Sequence, residues 1–261
     1  MTISPAPLLA DPIVELALAR AAAASTRLDL GVGPIPLNGF DGDSVACTEV
    51  IDPTTGMLDQ MVSAHSSERS IAVRNDAALL LLQRYAHRAT GPAVAVWALT
   101  GLTLDLSAPR TWVEVVDASP SRLGTDAVNV LGHDPDGSQL LEVIVDGHLV
   151  PFMTALRESS KLAWPGMWGN VTASIAGVFT MLSAAGVPAS ALLERAAMLL
   201  GQRPELAAGG AFRVIGNGAT ERLFFERTTC CGWYRIPAGN YCTWCSLKSP
   251  EERNESFLAQ M

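Results

Sequence analysis

The chain has 261 residues, of which 49% are hydrophobic and 17% charged, and a formal net charge of −8. That length suits one or two domains with a sizeable core, and the apolar fraction excludes disordered, collagen-like and low-complexity architectures. The acidic balance speaks against nucleic acid as a partner, because phosphate contacts need a basic face.

The first seven residues lack the basic region that precedes the apolar run of a secretory signal, and the alanines at 21–24 lie in a helical pattern carrying Glu15, Arg20 and Arg27. A cytosolic chain without disulfides is the expectation. Residues 11–25 read as a helix, with Asp11 as N-cap, Pro12 at the first helical position and an apolar face of Ile13, Leu16, Leu18 and Ala21. Residues 29–55 are rich in Gly, Pro and Asp and read as loop with at most short strands. Helices are predicted over 57–67, 76–88 and 92–104, and the four leucines at 79–82 make the second apolar all round, hence deeply buried. From Thr111 the pattern turns β-branched and partly alternating. Residues 111–116, 127–131 and 140–145 read as strands of a small antiparallel sheet, broken by turns at Asp134-Pro135-Asp136-Gly137 and Asp146-Gly147. Helices return over 149–161, 167–185 and 188–200, and a hairpin-like pair, 212–215 and 223–225 around Gly216-Asn217-Gly218, leads to the cysteines. The fold class is therefore α+β: predominantly helical, with a small antiparallel sheet and an irregular cysteine-rich C-terminal segment. The natural division is a helical unit over 1–210 and a tail over 211–261.

The mean hydropathy of +0.24 raises the question of a membrane span. Residues 162–193 and 89–104 carry no charged side chain, but Pro165, Asn170 and Pro188 interrupt the first and Gly91, Pro92 and Gly101 the second. The second is also shorter than the ~20 residues a span needs, so both read as buried core helices, a pattern compatible with loose attachment to the inner membrane face.

Several weaker patterns have ordinary readings. Gly31-Val32-Gly33 and Gly216-Asn217-Gly218 lack nucleotide-binding glycine spacing, and no Walker-type run occurs. His65, His87, His133 and His148 are widely separated, and Asp41-Gly42-Asp43 and Asp134-Pro135-Asp136-Gly137 lack the later acidic ligand of a calcium loop. Cys47 reads as a small buried hydrophobe, and Trp164, Trp168 and Asn170 as core packing with a satisfied amide.

The chemistry is concentrated in Cys230, Cys231, Cys242 and Cys245, a C-C-x10-C-x2-C pattern. Four thiols crowded together in a reducing compartment point to a metal centre. A C-x2-C pair serves zinc and iron equally well. The adjacent pair discriminates better: on a strand or helix the two side chains diverge, so they converge only from irregular backbone. Ordinary zinc sites space paired ligands by two to four residues, whereas a two-iron core is wider and takes neighbouring thiolates more easily. The spacing thus favours [2Fe–2S], with zinc next and thiol–disulfide chemistry last.

With Arg227 before it, and Tyr234-Arg235 and Pro237 between the pairs, this arrangement resembles the C-terminal signature of FhuF-type ferric-siderophore reductases. Trp168-Gly169-Asn170, in an apolar Ala-rich helix, is similar to a second and weaker stretch of that family. The strong resemblance covers about twenty residues, and Ser246 departs from it where proline is expected after the last cysteine. The resemblance implies a [2Fe–2S] cluster on Cys230, Cys231, Cys242 and Cys245 and one-electron reduction of ferric iron in a siderophore complex, typically a hydroxamate. No flavin or NAD motif is visible, so an external donor such as a ferredoxin or flavoprotein is implied. The four aromatics beside the ligands, Trp233, Tyr234, Tyr241 and Trp244, read first as an apolar collar for the cluster. Arg227, Arg235 and Lys248 either offset its charge or guide a ferric complex or an acidic donor. Trp233, Arg235 and Lys248 are the candidate substrate contacts. The charge of −8 favours neutral or cationic ferric hydroxamates over anionic catecholates. The rival readings are a non-enzymatic module with structural zinc and an iron–sulfur sensor.

Overall fold

A computed structural model of the chain describes residues 11–35, 44–217, 220–237 and 239–261. The Asp41-Gly42-Asp43 motif, the first seven residues and Gly218 lie outside the described residues. The chain is 57% helical and 16% strand, a predominantly helical α+β fold.

Helix α1 (Pro12–Ala24) starts at Asp11, whose carboxylate accepts from Ile13 N at 2.8 Å. Its buried stripe is Val14, Ala17 and Ala21, leaving the expected face residues Ile13 and Leu16 exposed. The small side chains turn inward because α1 lies close against its neighbours. A 3-10 turn (Thr26–Leu28) leads to strand β1 (Leu30–Val32), followed by β2 (Ser44–Ala46), α2 (Cys47–Ile51) and α3 (Met57–Glu68).

Helix α4 (Arg74–Thr100) is one 27-residue element where the sequence predicts two. Pro92 sits inside it, and its missing N–H leaves the carbonyl of Arg88 without an intrahelical partner. Burial outweighs that loss: every residue from Ala89 to Ala98 is buried, so α4 runs unbroken through the core. Gly91 is required here, since a Cβ would lie 2.4 Å from Arg27 O, where the 3-10 turn crosses the helix. Helix α7 (Trp164–Ala184) packs along α4 and is equally enclosed, which accounts for both charge-free stretches.

Strand β3 (Leu102–Leu104) follows α4 and pairs antiparallel with β6 (Val130–His133). Strands β4 (Thr111–Val116) and β5 (Ser119–Thr125) form the centre of a four-stranded sheet ordered β1-β5-β4-β2, in which β1 runs parallel to β5 and the other pairs are antiparallel. β4 matches its pattern. β5 was not legible, because Ser-Pro-Ser-Arg-Leu-Gly-Thr contains little that favours strand.

Residues 140–145, expected as a strand, are helical. They lie in α5 (Ser138–Leu141) and a π-helical stretch (Glu142–Leu149) that continues into α6 (Val150–Ser160). Leu140, Leu141, Ile144, Val145 and Leu149 reach the core at helical spacing, and that burial overrides the β-branched preference. Buried Asp134 fixes the start of this helix: its carboxylate accepts from Thr103 Oγ1 (2.8 Å), Leu140 N (2.9 Å) and Gly137 N (3.1 Å). The combined helix Ser138–Ser160 is long and apolar enough to cross a membrane, yet half of its apolar window is buried inside the fold.

After α8 (Ala189–Gly201) and α9 (Pro204–Ala207), the hairpin of β7 (Gly210–Ile215) and β8 (Arg222–Arg227) lies on α7. Leu223, Phe225 and Ile236 join the same hydrophobic core as α4 and α7, so the tail is built onto the helical body. Helix α10 (Pro250–Leu258) ends the fold behind a capping box of Ser249 and Glu252.

Candidate metal centre

Three consecutive residues fix the chain just before the first cysteine. Arg227, at the end of β8, is only 3% exposed. Its Nη2 donates to Asn170 Oδ1 at 2.8 Å and to Gly169 O at 3.3 Å, both on α7. Thr228 Oγ1 donates to Ala208 O at 2.6 Å. Thr229 presses onto the bare Cα of Gly169, where a Cβ would sit 1.8 Å from its Oγ1. Trp168-Gly169-Asn170 is thus the seat of the cysteine segment, and the Asn170 amide is satisfied on both sides, its Nδ2 donating to Leu79 O at 3.4 Å.

Cys230 and Cys231 lie on irregular backbone, as their adjacency requires. Gly232 follows in the left-handed region (φ 81°), and its N–H donates to Cys230 Sγ at 3.4 Å. A 3-10 turn at Trp233–Arg235 leads to buried Ile236 and on to the second pair. There the backbone doubles back, with Cys245 N donating to Cys242 O at 3.1 Å and Lys248 N to Cys245 O at 3.3 Å.

All four thiols are free of disulfides; Cys231 and Cys245 are buried, and Cys230 and Cys242 half-buried. They are electrostatic neighbours, since both Cys230 and Cys242 feel Cys231 and Cys245. The Cys242 thiol donates to Cys231, which holds Cys231 below an ordinary thiol against the cost of its burial. The same hydrogen bond, with burial, holds Cys242 well above an ordinary thiol. Burial likewise raises Cys230. A bound cation would favour the deprotonated form of these sulfurs. Among the described residues, no three His, Cys, Asp or Glu side chains converge closely enough to hold a single ion. The fit to a metal centre rests on the donor set: four free sulfurs from two irregular turns, with the Arg227 guanidinium within reach of Cys230, Cys231 and Cys242. Two buried donors beside the pair, Arg227 Nε and Thr229 Oγ1, also lack protein partners.

A cavity of about 370 Å³ opens beside the cysteines. Cys231, Cys242, Trp233 and Trp244 line it. Arg84, His87 and Arg88, on one face of α4 at i, i+3 and i+4, line it too, together with Arg27 and Arg227. Burial and the arginines around it push His87 down to about 3, so its ring is neutral. Burial, then Arg69, Arg27 and Arg88, push Arg84 down to about 10. Among the described residues no carboxylate lines the cavity.

Of the sequence-predicted contacts, Trp233 lines the cavity. Arg235 turns away: its Nη1 donates to Asp76 Oδ1 at 3.1 Å, and its guanidinium lies over the Tyr234 ring. Lys248 Nζ donates to Ser256 Oγ at 2.7 Å, tying the last cysteine turn to α10. Trp244 is half-buried beside Cys242, whereas Tyr234 and Tyr241 are exposed and touch each other, so the collar consists of the two tryptophans. Cys47 is fully buried, and that burial raises its thiol to about 11, as expected of a small core residue. The sequence reading missed Arg27, Arg84, His87 and Arg88. The available signal was Arg84, His87 and Arg88 at i, i+3 and i+4 between two apolar runs, 77–82 and 93–99. No family model and no curated protein matches the chain.

Proposed function

We propose that this protein is an oxidoreductase, a [2Fe–2S] ferric-siderophore reductase that transfers one electron to chelated Fe(III) and releases Fe(II). The observation that carries the reading is four free thiols carried on two irregular turns; two of the thiols, Cys231 and Cys242, line an open cavity. Cys230, Cys231, Cys242 and Cys245 would hold the cofactor, Arg227 would offset its negative charge, and Trp233 and Trp244 would screen it from water. When bound, a [2Fe–2S] centre supplies single electrons, the unit needed to turn Fe(III) into the Fe(II) that hard oxygen donors hold more weakly. The cavity seats the chelate against the cysteine wall, so no acid, base or nucleophile is required of the chain. Each turnover consumes one electron, supplied by an external donor such as a ferredoxin or flavoprotein. We take the cytosol as the compartment, since free thiols persist where glutathione and thioredoxin keep them reduced.

The test is visible absorption and EPR on anaerobically purified protein, with iron, sulfide and zinc assayed on the same sample. The expected result is a red-brown protein with about two irons and two sulfides per chain and an EPR signal only after reduction. The reduced protein should then turn over a ferric siderophore. A colourless protein with one tight zinc, whose removal unfolds the tail, would make it a structural module instead. A cluster that never reduces a ferric chelate would make it a sensor.

A further inference from the structure

The sign of the charge at the site is opposite to that of the molecule. The chain carries −8, yet Arg27, Arg84, Arg88 and Arg227 share one cavity. Among the described residues none of the four takes part in an ion pair. The acid felt by Arg88 is Asp29, whose own ion pair is with Arg122 at 3.6 Å. Arg88 Nη1 donates to a neutral acceptor, Thr26 O, at 3.1 Å. Arg227 is buried with Nε unpartnered, and His87 Nδ1 is buried and unpartnered as well. Gathering several cations in a half-buried space costs energy, because repulsion there is screened less than in water. Arg227 Nε, a buried donor without an acceptor, adds to that cost. An anion in the cavity relieves both terms.

We propose that this arginine-lined cavity binds an anionic metal chelate, one whose donor groups leave a net negative charge on the complex, as catecholates and α-hydroxycarboxylates do. The identity of the ligand as a ferric chelate rests on the reductase reading; the preference for negative charge does not. The preference for neutral or cationic hydroxamates, drawn from the charge of the whole chain, is reversed at the site. A substrate in contact with the wall responds to the guanidiniums within a Debye length, about 8 Å at physiological salt, more than to the distant acidic surface. Planar guanidiniums also suit paired oxygen acceptors, which lysine would serve less well.

Redox-inert gallium(III) complexes test this on the full-length protein purified anaerobically. One probe is the trianionic complex of a hexadentate tris-catecholate, the other the cationic complex of a linear trihydroxamate, each titrated against tryptophan fluorescence. The trianionic complex should bind roughly tenfold tighter or better at low salt, and high salt should narrow the difference. Arg84→Gln should weaken it roughly tenfold, with Arg84→Lys, which keeps the charge but not the planar fork, falling between Arg84→Gln and the unchanged protein; Arg88→Gln repeats the test from a second position. Tighter binding of the cationic complex would overturn the proposal. So would an Arg84→Gln protein with an altered reduction potential but unchanged chelate binding, since the arginines would then serve only the charge of the centre. Iron and sulfide assays on the same samples keep the two readings apart. A protein with its cluster that prefers the cationic complex loses this inference and keeps the reductase reading. A protein without a cluster that still binds the trianion through Arg84 does the reverse.

Discussion

Each residue at the centre is explained by what it touches. Cys242 and Cys47 are both cysteines, but one sits in the sulfur group and the other, fully buried, beside Thr111 and Tyr85. On the [2Fe–2S] reading, Cys242→Ser should strip the visible spectrum and most of the iron. On the same reading Cys47→Ser should leave the spectrum unchanged and cost only about 1 kcal/mol in urea unfolding, because the buried hydroxyl keeps Thr111 and Tyr85 as hydrogen-bond partners. Equal loss of colour in both variants would remove Cys242 from the ligand set. Asn170 carries a different load, as the acceptor for a buried guanidinium. Asn170→Ala should cost about 2–3 kcal/mol of stability by leaving Arg227 short of an acceptor. Asn170→Asp, which puts a carboxylate opposite the guanidinium, should recover much of that. The cysteines were legible because a four-sulfur pattern is rare and local. Arg227 was legible with them, as their neighbour in the chain; Arg27, Arg84 and Arg88 were not, because they lie far from the cysteines in sequence and each resembles an ordinary surface charge.

At the level of elements, the reading succeeded where pattern and burial agree and failed where they compete. Helices α1, α3, α6, α7 and α8 fall close to their predicted spans, since their apolar repeat and their packing point the same way. The stretch 140–145 has a β-branched composition but sits in a crowded core at helical spacing, and packing decides. Gly91-Pro92 looks like a helix break, yet α4 continues because both sides of it are occupied. Gly91 gives this a measurable form. On propensity alone Gly91→Ala should stabilise a helix by about 1 kcal/mol. The contact with Arg27 O predicts the opposite, a loss of about 1–3 kcal/mol by urea unfolding, with the 3-10 turn pushed off α4 and Arg27 displaced from the cavity. Stabilisation would show that the turn does not cross the helix so closely.

Across the whole molecule, buried histidines set the response to acid. His148 is enclosed, with Nε2 on Tyr85 Oη at 2.7 Å and Nδ1 on Leu106 O at 2.9 Å. His65 is enclosed beside Ser119 Oγ at 3.1 Å. Burial pushes each down to about 4, with Arg69 and Arg84 adding to the effect at His65. Between pH 6.5 and 4 the unfolded chain binds protons at these sites that the folded one refuses, so stability falls as pH drops through that window and is full above it. At pH 5 the loss should be about 2 kcal/mol for each histidine, read from urea curves at pH 7 and 5. His148→Gln should flatten part of the difference, and identical curves at both pH values would contradict the neutral buried state.

The bare Cα atoms of Gly91 and Gly169 mark where separate segments meet the two central helices, one bringing Arg27 to the cavity and the other seating the cysteines. Core positions such as Phe179 or Leu182 lose stability when atoms are taken away; these two lose it when a single methyl is added. In a saturation-mutagenesis map scored for metal content, the site should therefore stand out by an inverted size preference. At these two positions no larger side chain would be accepted, whatever its chemistry.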